Sequence, residues 1–254
     1  MAKIDYPSQL SQAVRDHKYP LLFATISGAH LYGFPSPDSD YDLRGVHVLP
    51  LQEIVGMTER DNTVTTTKLE DGLELDLVTH DIKKFFKLML RKNGYVLEQL
   101  YSPLVVHKTS NLQELKTIGK SCITRHHYHH YAGFSANQWR LLEKEEPPRV
   151  KPLLYVYRVL LTGIYLMQNA RIEANLVTLN KEFQLPYIDE LVEAKVSTNE
   201  KHKLTKLDLD FHRKEFKRLR GALETAFLKS DLPETPTAAA ALDDLLRRVR
   251  LGSV

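Results

Sequence analysis

Cysteine is almost missing from this chain of 254 residues: Cys122 stands alone. A single thiol cannot close an intramolecular disulfide or supply the cysteine set of a structural zinc site, so a reducing compartment is expected. Long apolar runs are lacking as well, and none approaches the length a bilayer crossing needs. The first residues, Met1-Ala2-Lys3-Ile4-Asp5-Tyr6-Pro7, contain no apolar core of a signal peptide. Cytoplasmic localisation and no membrane partner are the expectation. Neither sign of charge dominates. Lys and Arg number 35 against 32 Asp and Glu, a net charge of +3, too even to argue nucleic-acid binding from bulk charge. Repeats of fixed period and low-complexity tracts are absent. The 43% hydrophobic and 26% charged fractions are those of an ordinary globular protein with room for one large domain or two small ones.

What is present is concentrated between residues 21 and 46. Leu21 to Ile26 reads as an apolar strand running into a small-residue turn, Ser27-Gly28-Ala29-His30. A polar loop, Pro35-Ser36-Pro37-Asp38-Ser39, leads to Asp40 and Asp42, which open a second apolar strand. Residues i and i+2 of a strand face the same side, so the two carboxylates aim at one point. They repel there unless a cation lies between them. The turn offers backbone N–H groups to an anion, so a divalent metal with a polyphosphate would satisfy both halves of the arrangement.

The remaining pattern splits the chain. Residues 7–18 form an amphipathic helix, and strands are expected at 21–26 and 42–49. Residues 63–69 and 73–79 make a hairpin around Glu70-Asp71-Gly72. From Asp81, which can cap a helix through Ile82, Phe85, Phe86 and Met89, the spacing turns helical. Further helices are expected at 95–101, 111–121, 126–145, 153–168, 188–196, 208–228 and 238–250. The fold class is therefore α+β. A small mixed β-sheet core flanked by helices occupies 1–108, and an all-helical domain at 109–254 closes a ligand cleft. Trp139 and Cys122 are expected in the core.

Asp76 lies on the strand after the hairpin tip, sharing a face with Glu74 and opposite Leu73, Leu75 and Leu77. If this strand neighbours that of Asp42, Asp40, Asp42 and Asp76 converge. Three acids around two Mg²⁺ ions is an established arrangement for nucleotidyl transfer. Glu74 stays open as the alternative third ligand.

Ser27-Gly28-Ala29 followed by Asp40-Tyr41-Asp42-Leu43 resembles the signature of the DNA polymerase β-type nucleotidyltransferase superfamily. With Leu31-Tyr32-Gly33, Pro37-Asp38-Ser39 and Arg44-Gly45-Val46, it resembles one branch, the predicted nucleotidyltransferases linked to RNA repair ligases. Asp81-Ile82-Lys83-Lys84-Phe85, Asn93-Gly94-Tyr95, Lys151 with Tyr155 and Arg158, and Ser230-Asp231-Leu232-Pro233-Glu234 extend the similarity over nearly the whole chain. The resemblance implies that Asp40, Asp42 and Asp76 bind two Mg²⁺ or Mn²⁺ ions, Asp76 also helping to deprotonate the attacking hydroxyl. It implies that Gly28 lets the turn approach the triphosphate of an NTP. The superfamily usually carries Ser at the position of Ala29, whose side chain cannot bond a phosphate oxygen. The missing contact is worth roughly 1.5–3 kcal/mol, and Ser27 or His30 can replace it.

Other features carry two readings each. His126-His127-Tyr128-His129-His130 has helical spacing but lacks a third ligand and the zinc-protease Glu, so a core-flanking cluster is expected over a metal site. Lys151, Tyr155 and Arg158, at i, i+4 and i+7, share a helix face that either closes on a nucleotide or is merely a cationic edge. Arg44 either neutralises phosphate or braces the carboxylates. Residues 201–220 hold eight Lys or Arg against three acids, compatible with RNA and equally with a solvated helix face. The reading is a metal-dependent nucleotidyltransferase that moves a nucleoside monophosphate from an NTP to an acceptor, with an RNA end foremost. The alternatives are nucleotidylation of a small molecule or of a partner protein, as in antitoxin-type relatives, and a non-catalytic nucleotide- or RNA-binding module. Oligomeric state is not set by the sequence.

Overall fold

The computed structural model describes residues 6–58, 60–70, 72–197 and 208–252. Asp71 and residues 201–207 of the basic segment lie outside the described residues. The elements divide between two compact units that interleave in sequence. One comprises residues 1–28, 40–122 and 235–254, the other residues 29–39 and 123–234.

The first unit is built on a five-stranded mixed sheet. Its strands are β1 (Leu21–Ile26), β2 (Tyr41–His47), β3 (Thr63–Glu70), β4 (Leu73–Asp81) and β5 (Val105–Lys108), in the order β3-β4-β2-β1-β5. β2 and β4 are parallel, and the other neighbouring pairs are antiparallel. All six residues of β1 are buried, as befits a strand covered on both faces. A β-bulge between Leu21 and Phe23 turns Leu21 to the same side as Ala24 and Ile26. These three pack with Leu43, Leu75 and Leu77 against Leu10 and Ala13 of α1 (Ser8–Arg15). Full burial of each leucine contributes about 1.5–3 kcal/mol. The other side carries Phe23, edge-on to Phe85 at 5.6 Å, beneath α4 (Ile82–Leu90) and α5 (Gly94–Tyr101). By the same alternation Asp42, Arg44 and Asp76 belong to this second side.

Asp81 caps α4 as the sequence predicts, accepting from Lys83 N at 3.0 Å, and Asn93 caps α5 through Tyr95 N. The first unit contains α3 (Leu51–Ile54) and α6 (Asn111–Lys120), while α2 (Gly28–Tyr32) belongs from Ala29 on to the second. The first unit also holds the last helix, α12 (Ala239–Leu251). Arg250 there pairs with Asp81 at 2.8 Å, both side chains almost wholly buried. β5, α2 and α3 are short elements that sequence periodicity does not reveal. Four or five residues give too few repeats of either period.

The second unit is helical throughout its described residues. Its helices are α7 (His127–Leu142), α8 (Val150–Asn169), α9 (Leu176–Phe183), α10 (Pro186–Val196) and α11 (Leu209–Lys229). α9 is a further helix not expected from the sequence, and Asn175 caps it by accepting from Thr178 N at 2.9 Å. α8 corrects the expectation about apolar runs, because by length and composition it could cross a membrane. Yet 78% of its apolar window is buried, and it is the central helix of this unit. Gly163 lets α7 approach α8 closely, since a Cβ there would lie 2.8 Å from the Tyr131 side chain. Trp139 stacks on Phe216 at 4.7 Å. In the sheet unit Cys122 is fully buried, and burial pushes its thiol up to about 12.

Candidate active site

The end of β1 is fixed from both sides. Thr25 Oγ1 donates to the Gln99 carbonyl and Ser102 Oγ to the Ile26 carbonyl, each at 3.0 Å. Ser27 N then donates to the Asp42 carbonyl at 2.7 Å, so the chain turns directly beside the start of β2. Gly28 makes the turn with φ +60°, a left-handed conformation that glycine adopts without strain. It also lies against the carboxylate. A Cβ built on Gly28 would stand 1.8 Å from Asp42 Oδ2. Ser27 is fully buried, and its Oγ has no hydrogen-bond partner among the described residues.

Asp42 on β2 is the register partner of Asp76 on β4. Their carboxylates converge on a single nitrogen. Arg44 Nη2 donates to Asp42 Oδ1 at 2.5 Å and to Asp76 Oδ2 at 3.0 Å. Arg44 Nη1 donates to the Asp76 carbonyl at 2.7 Å, and its Nε to Tyr95 Oη at 3.1 Å. Burial works to lower the Arg44 pKa, but Tyr95 and the two carboxylates outweigh it and hold the guanidinium charged. The two carboxylates thus share the cation that the sequence demanded, supplied here by the protein. Thr67 Oγ1 donates to the other Asp76 oxygen at 3.3 Å.

Asp40 precedes β2 instead of lying within it, and it is half-exposed. Among the described residues no group of three or more His, Cys, Asp or Glu side chains is placed to hold a metal ion. The structure therefore brings together a pair, Asp42 and Asp76, without Asp40. Glu74 is exposed and pairs with Leu69 of β3, beyond the residues that β4 shares with β2. The pair still suits a hard divalent ion. Such ions take oxygen ligands and are commonly bound by one or two carboxylates with substrate phosphates completing the shell.

The other predicted contacts belong to the helical unit. Ala29 is buried, and its carbonyl accepts from Gly33 N and Phe34 N. His30, Lys151 and Tyr155 are half-buried. Tyr155 meets Tyr32 and Phe34 edge-on at 5.4 and 5.9 Å. Arg158 is only 3% exposed, and its guanidinium lies 4.0 Å from the Tyr32 ring centroid. Two residues that sequence reasoning missed hold the same segment. Asn175 Nδ2 donates to the Leu31 carbonyl at 3.3 Å and fills the space where a Gly33 Cβ would be. Lys195, buried on α10, donates to Ser36 Oγ at 2.5 Å. Its signal was a lysine on the apolar stripe of Ile188 and Leu191. Tyr32, Gly33 and Ser36 are thus anchoring residues of this segment.

The histidine cluster is structural in geometry. His127 is buried with Nδ1 against Thr124 N and O at 3.2 and 3.0 Å. Burial, with His127 and Arg158 nearby, pulls His130 down to about 4. Of the five described cations in the basic segment, two form ion pairs. Arg213 contacts Asp210 and Glu143, and Arg218 contacts Glu215.

The model of the RNA repair pathway DNA polymerase beta family, RlaP, matches residues 3–248. The chain belongs to this family. The family points to a polymerase β-like nucleotidyltransferase and supports a transferase activity. Among curated proteins, the chain is 30% identical over 159 residues to the uncharacterized protein MJ0002 of Methanocaldococcus jannaschii, covering 61% of this chain and 63% of that one. It is 26% identical over 157 residues to the uncharacterized protein YcgL of Bacillus subtilis, covering 60% and 58%. A match to an uncharacterized 38.9 kDa protein of Enterobacteria phage T4, 28% identical over 94 residues, covers 35% and 27%. The matches thus span less than two thirds of these relatives. A nucleotidyltransferase-like protein from Exiguobacterium sibiricum is similar at a TM-score of 0.33 and 10% identity, covering 97% of this chain and 75% of that one.

Proposed function

We propose that the protein transfers a nucleoside monophosphate from an NTP to an acceptor hydroxyl, an RNA end foremost, with release of pyrophosphate. The observation that carries this reading is the meeting of the Gly28 turn with the Asp42–Asp76 pair. The buried Gly28 turn, bare of a side chain, lies directly against the Asp42 carboxylate, which converges with that of Asp76 on Arg44. The buried, unpartnered Ser27 Oγ gives the same place a donor suited to a phosphate oxygen, a role that Ala29 cannot fill.

In this reading Asp42 and Asp76, with Asp40 at the strand entrance, would hold Mg²⁺ or Mn²⁺. Bound there, such ions neutralise phosphate charge and lower the pKa of the attacking hydroxyl. The acceptor oxygen bonds to the α-phosphorus as the bond to the β,γ-pyrophosphate breaks in line. Asp76 accepts the hydroxyl proton. Ser27 and Gly28 hold the phosphates, and positioning with charge stabilisation supplies the rate. Roles for Ala29, His30, Lys151, Tyr155 and Arg158 as nucleotide contacts rest on the family resemblance. Their packing supports a further task for Tyr155 and Arg158, holding Tyr32 in place.

The test is incubation with each of four α-labelled NTPs and Mg²⁺ or Mn²⁺, against RNA ends, total protein and small-molecule pools. Label on RNA that disappears in Asp42→Ala is the expected result. Label on protein or a small molecule moves the acceptor to that class. NTP binding without pyrophosphate release, whatever the acceptor, overturns the enzyme reading.

A further inference from the structure

A second site lies in the sheet unit, at the far ends of the parallel strands that carry the carboxylates. A cleft of about 620 Å³ opens between α3, the start of β3, α4 and α12. Its described lining holds six basic side chains, Arg60, Lys83, Lys84, Lys87, Arg91 and Arg250, against three acids. All three acids are already engaged within the protein. Asp81 is closed by Arg250, Asp61 accepts from Thr63 N at 2.9 Å, and Glu53 accepts from Tyr19 Oη at 3.0 Å. The cations are not so matched. Lys83, Lys87 and Arg91 are exposed, and among the described residues their side chains have no ion pair or hydrogen bond.

A net cationic, concave surface from several elements recruits an anion. From Lys83 to Arg91 the helix rises about 12 Å, a row that suits a chain of phosphates better than one. Among the described residues no aromatic side chain lines the cleft to offer a base a stacking partner. Asp76 and Asp81 stand five residues apart on β4, about 16 Å of strand. The cleft is thus separate from the carboxylate pair.

We propose that this cleft binds the sugar–phosphate backbone of single-stranded RNA, independently of base sequence, and holds the body of the acceptor away from its reacting end. The proposal takes its RNA acceptor from the reading above but none of its chemistry. Contacts of this kind are made to phosphate, fix position without reading sequence, and weaken steeply with salt.

The test is anisotropy of a labelled 12-nucleotide RNA titrated with the full chain at several salt concentrations, without NTP or divalent ions. It therefore stands whichever way the transfer reading falls. Lys87→Gln/Arg91→Gln is expected to weaken binding at least tenfold, and to flatten the dependence of log K on log salt by about 1.4, at ~0.7 per phosphate contact on a single strand. Lys120→Gln, at an exposed cation outside the cleft, is expected to bind as the wild type does. Two RNAs of different sequence are expected to bind alike. No RNA binding by the wild type, or an unchanged affinity and salt slope in the double variant, overturns the proposal. So does tripolyphosphate that displaces RNA equally well per phosphate, since the cleft would then be a small-anion site.

Discussion

Asp42 and Asp76 are register partners across the parallel pair β2–β4, and one nitrogen of Arg44 bonds both carboxylates. Glu74, two residues earlier on β4, faces Leu69 of β3 and has no partner on β2. This geometry separates the two acids that the sequence left as alternatives. Asp76→Asn is expected to lower pyrophosphate release by ~10²-fold or more, the scale of removing one electrostatic group from a reacting centre. Glu74→Gln is expected to leave the rate within about twofold. Initial-rate measurements on both variants decide the matter, and equal losses would place Glu74 in the site.

Gly28 and Gly72 provide a matched comparison. Both have positive φ, +60° and +79°, but a Cβ at Gly72 meets nothing within 4 Å whereas one at Gly28 meets the Asp42 carboxylate. Gly72→Ala is expected to cost ~1–2 kcal/mol, the left-handed strain alone. Gly28→Ala is expected to cost more and to abolish transfer, because the carboxylate must move. Urea midpoints and transfer rates measured together test this, and two variants of equal stability and activity would contradict it.

Arg44 keeps two adjacent carboxylates from facing each other alone. Without divalent ions, Arg44→Gln is expected to destabilise the protein by about 1–3 kcal/mol, since bonds to charged groups are lost and the carboxylates repel. Adding Mg²⁺ is expected to raise the melting temperature more in this variant than in the wild type, where the guanidinium competes for the same oxygens. Identical Mg²⁺ responses would argue against an ion between Asp42 and Asp76.

His47 is fully buried, and burial lowers its pKa to about 4. Neighbouring His17, His80 and Arg250 add to the lowering against the pull of Asp81. Nδ1 of His47 and Nε2 of His17 meet at Thr79 Oγ1, at 2.8 and 2.9 Å. Because the folded pKa lies below the unfolded value of 6.5, the unfolded chain binds the proton first. Stability from this group is complete above pH 6.5 and falls as pH drops from 6.5 toward 4, by roughly 3 kcal/mol in all. His47→Asn is expected to flatten that acid limb by about one proton, measured as denaturation free energy against pH.

Much of the fold was legible because it is written in local periodicity. β1 matches its expected bounds, the hairpin of β3 and β4 lies where Asp71-Gly72 divides two strand-forming segments, and Asp81 caps α4 as its position before an apolar helical stripe requires. The short elements were not legible, and neither was the apolar weight of α8, whose charged and polar residues interrupt the run in sequence although the helix buries Arg158 and Thr162 among them.

The sequence by itself determined the α+β class, the two strands bearing Asp42 and Asp76, and the small-residue turn at Gly28, since strand alternation and turn chemistry depend on near neighbours alone. The tertiary structure decided which carboxylates meet. Register between β2 and β4 is set by long-range pairing, which placed Asp76 opposite Asp42 and left Glu74 beside Leu69. It also decided what lies between the carboxylates, because Arg44 can reach both only once the two strands are adjacent. The same holds for α12. Its amphipathic pattern would suit either unit, and the buried pair of Arg250 with Asp81 joins it to the sheet, because a charge withdrawn from water must find its partner wherever the chain has brought it.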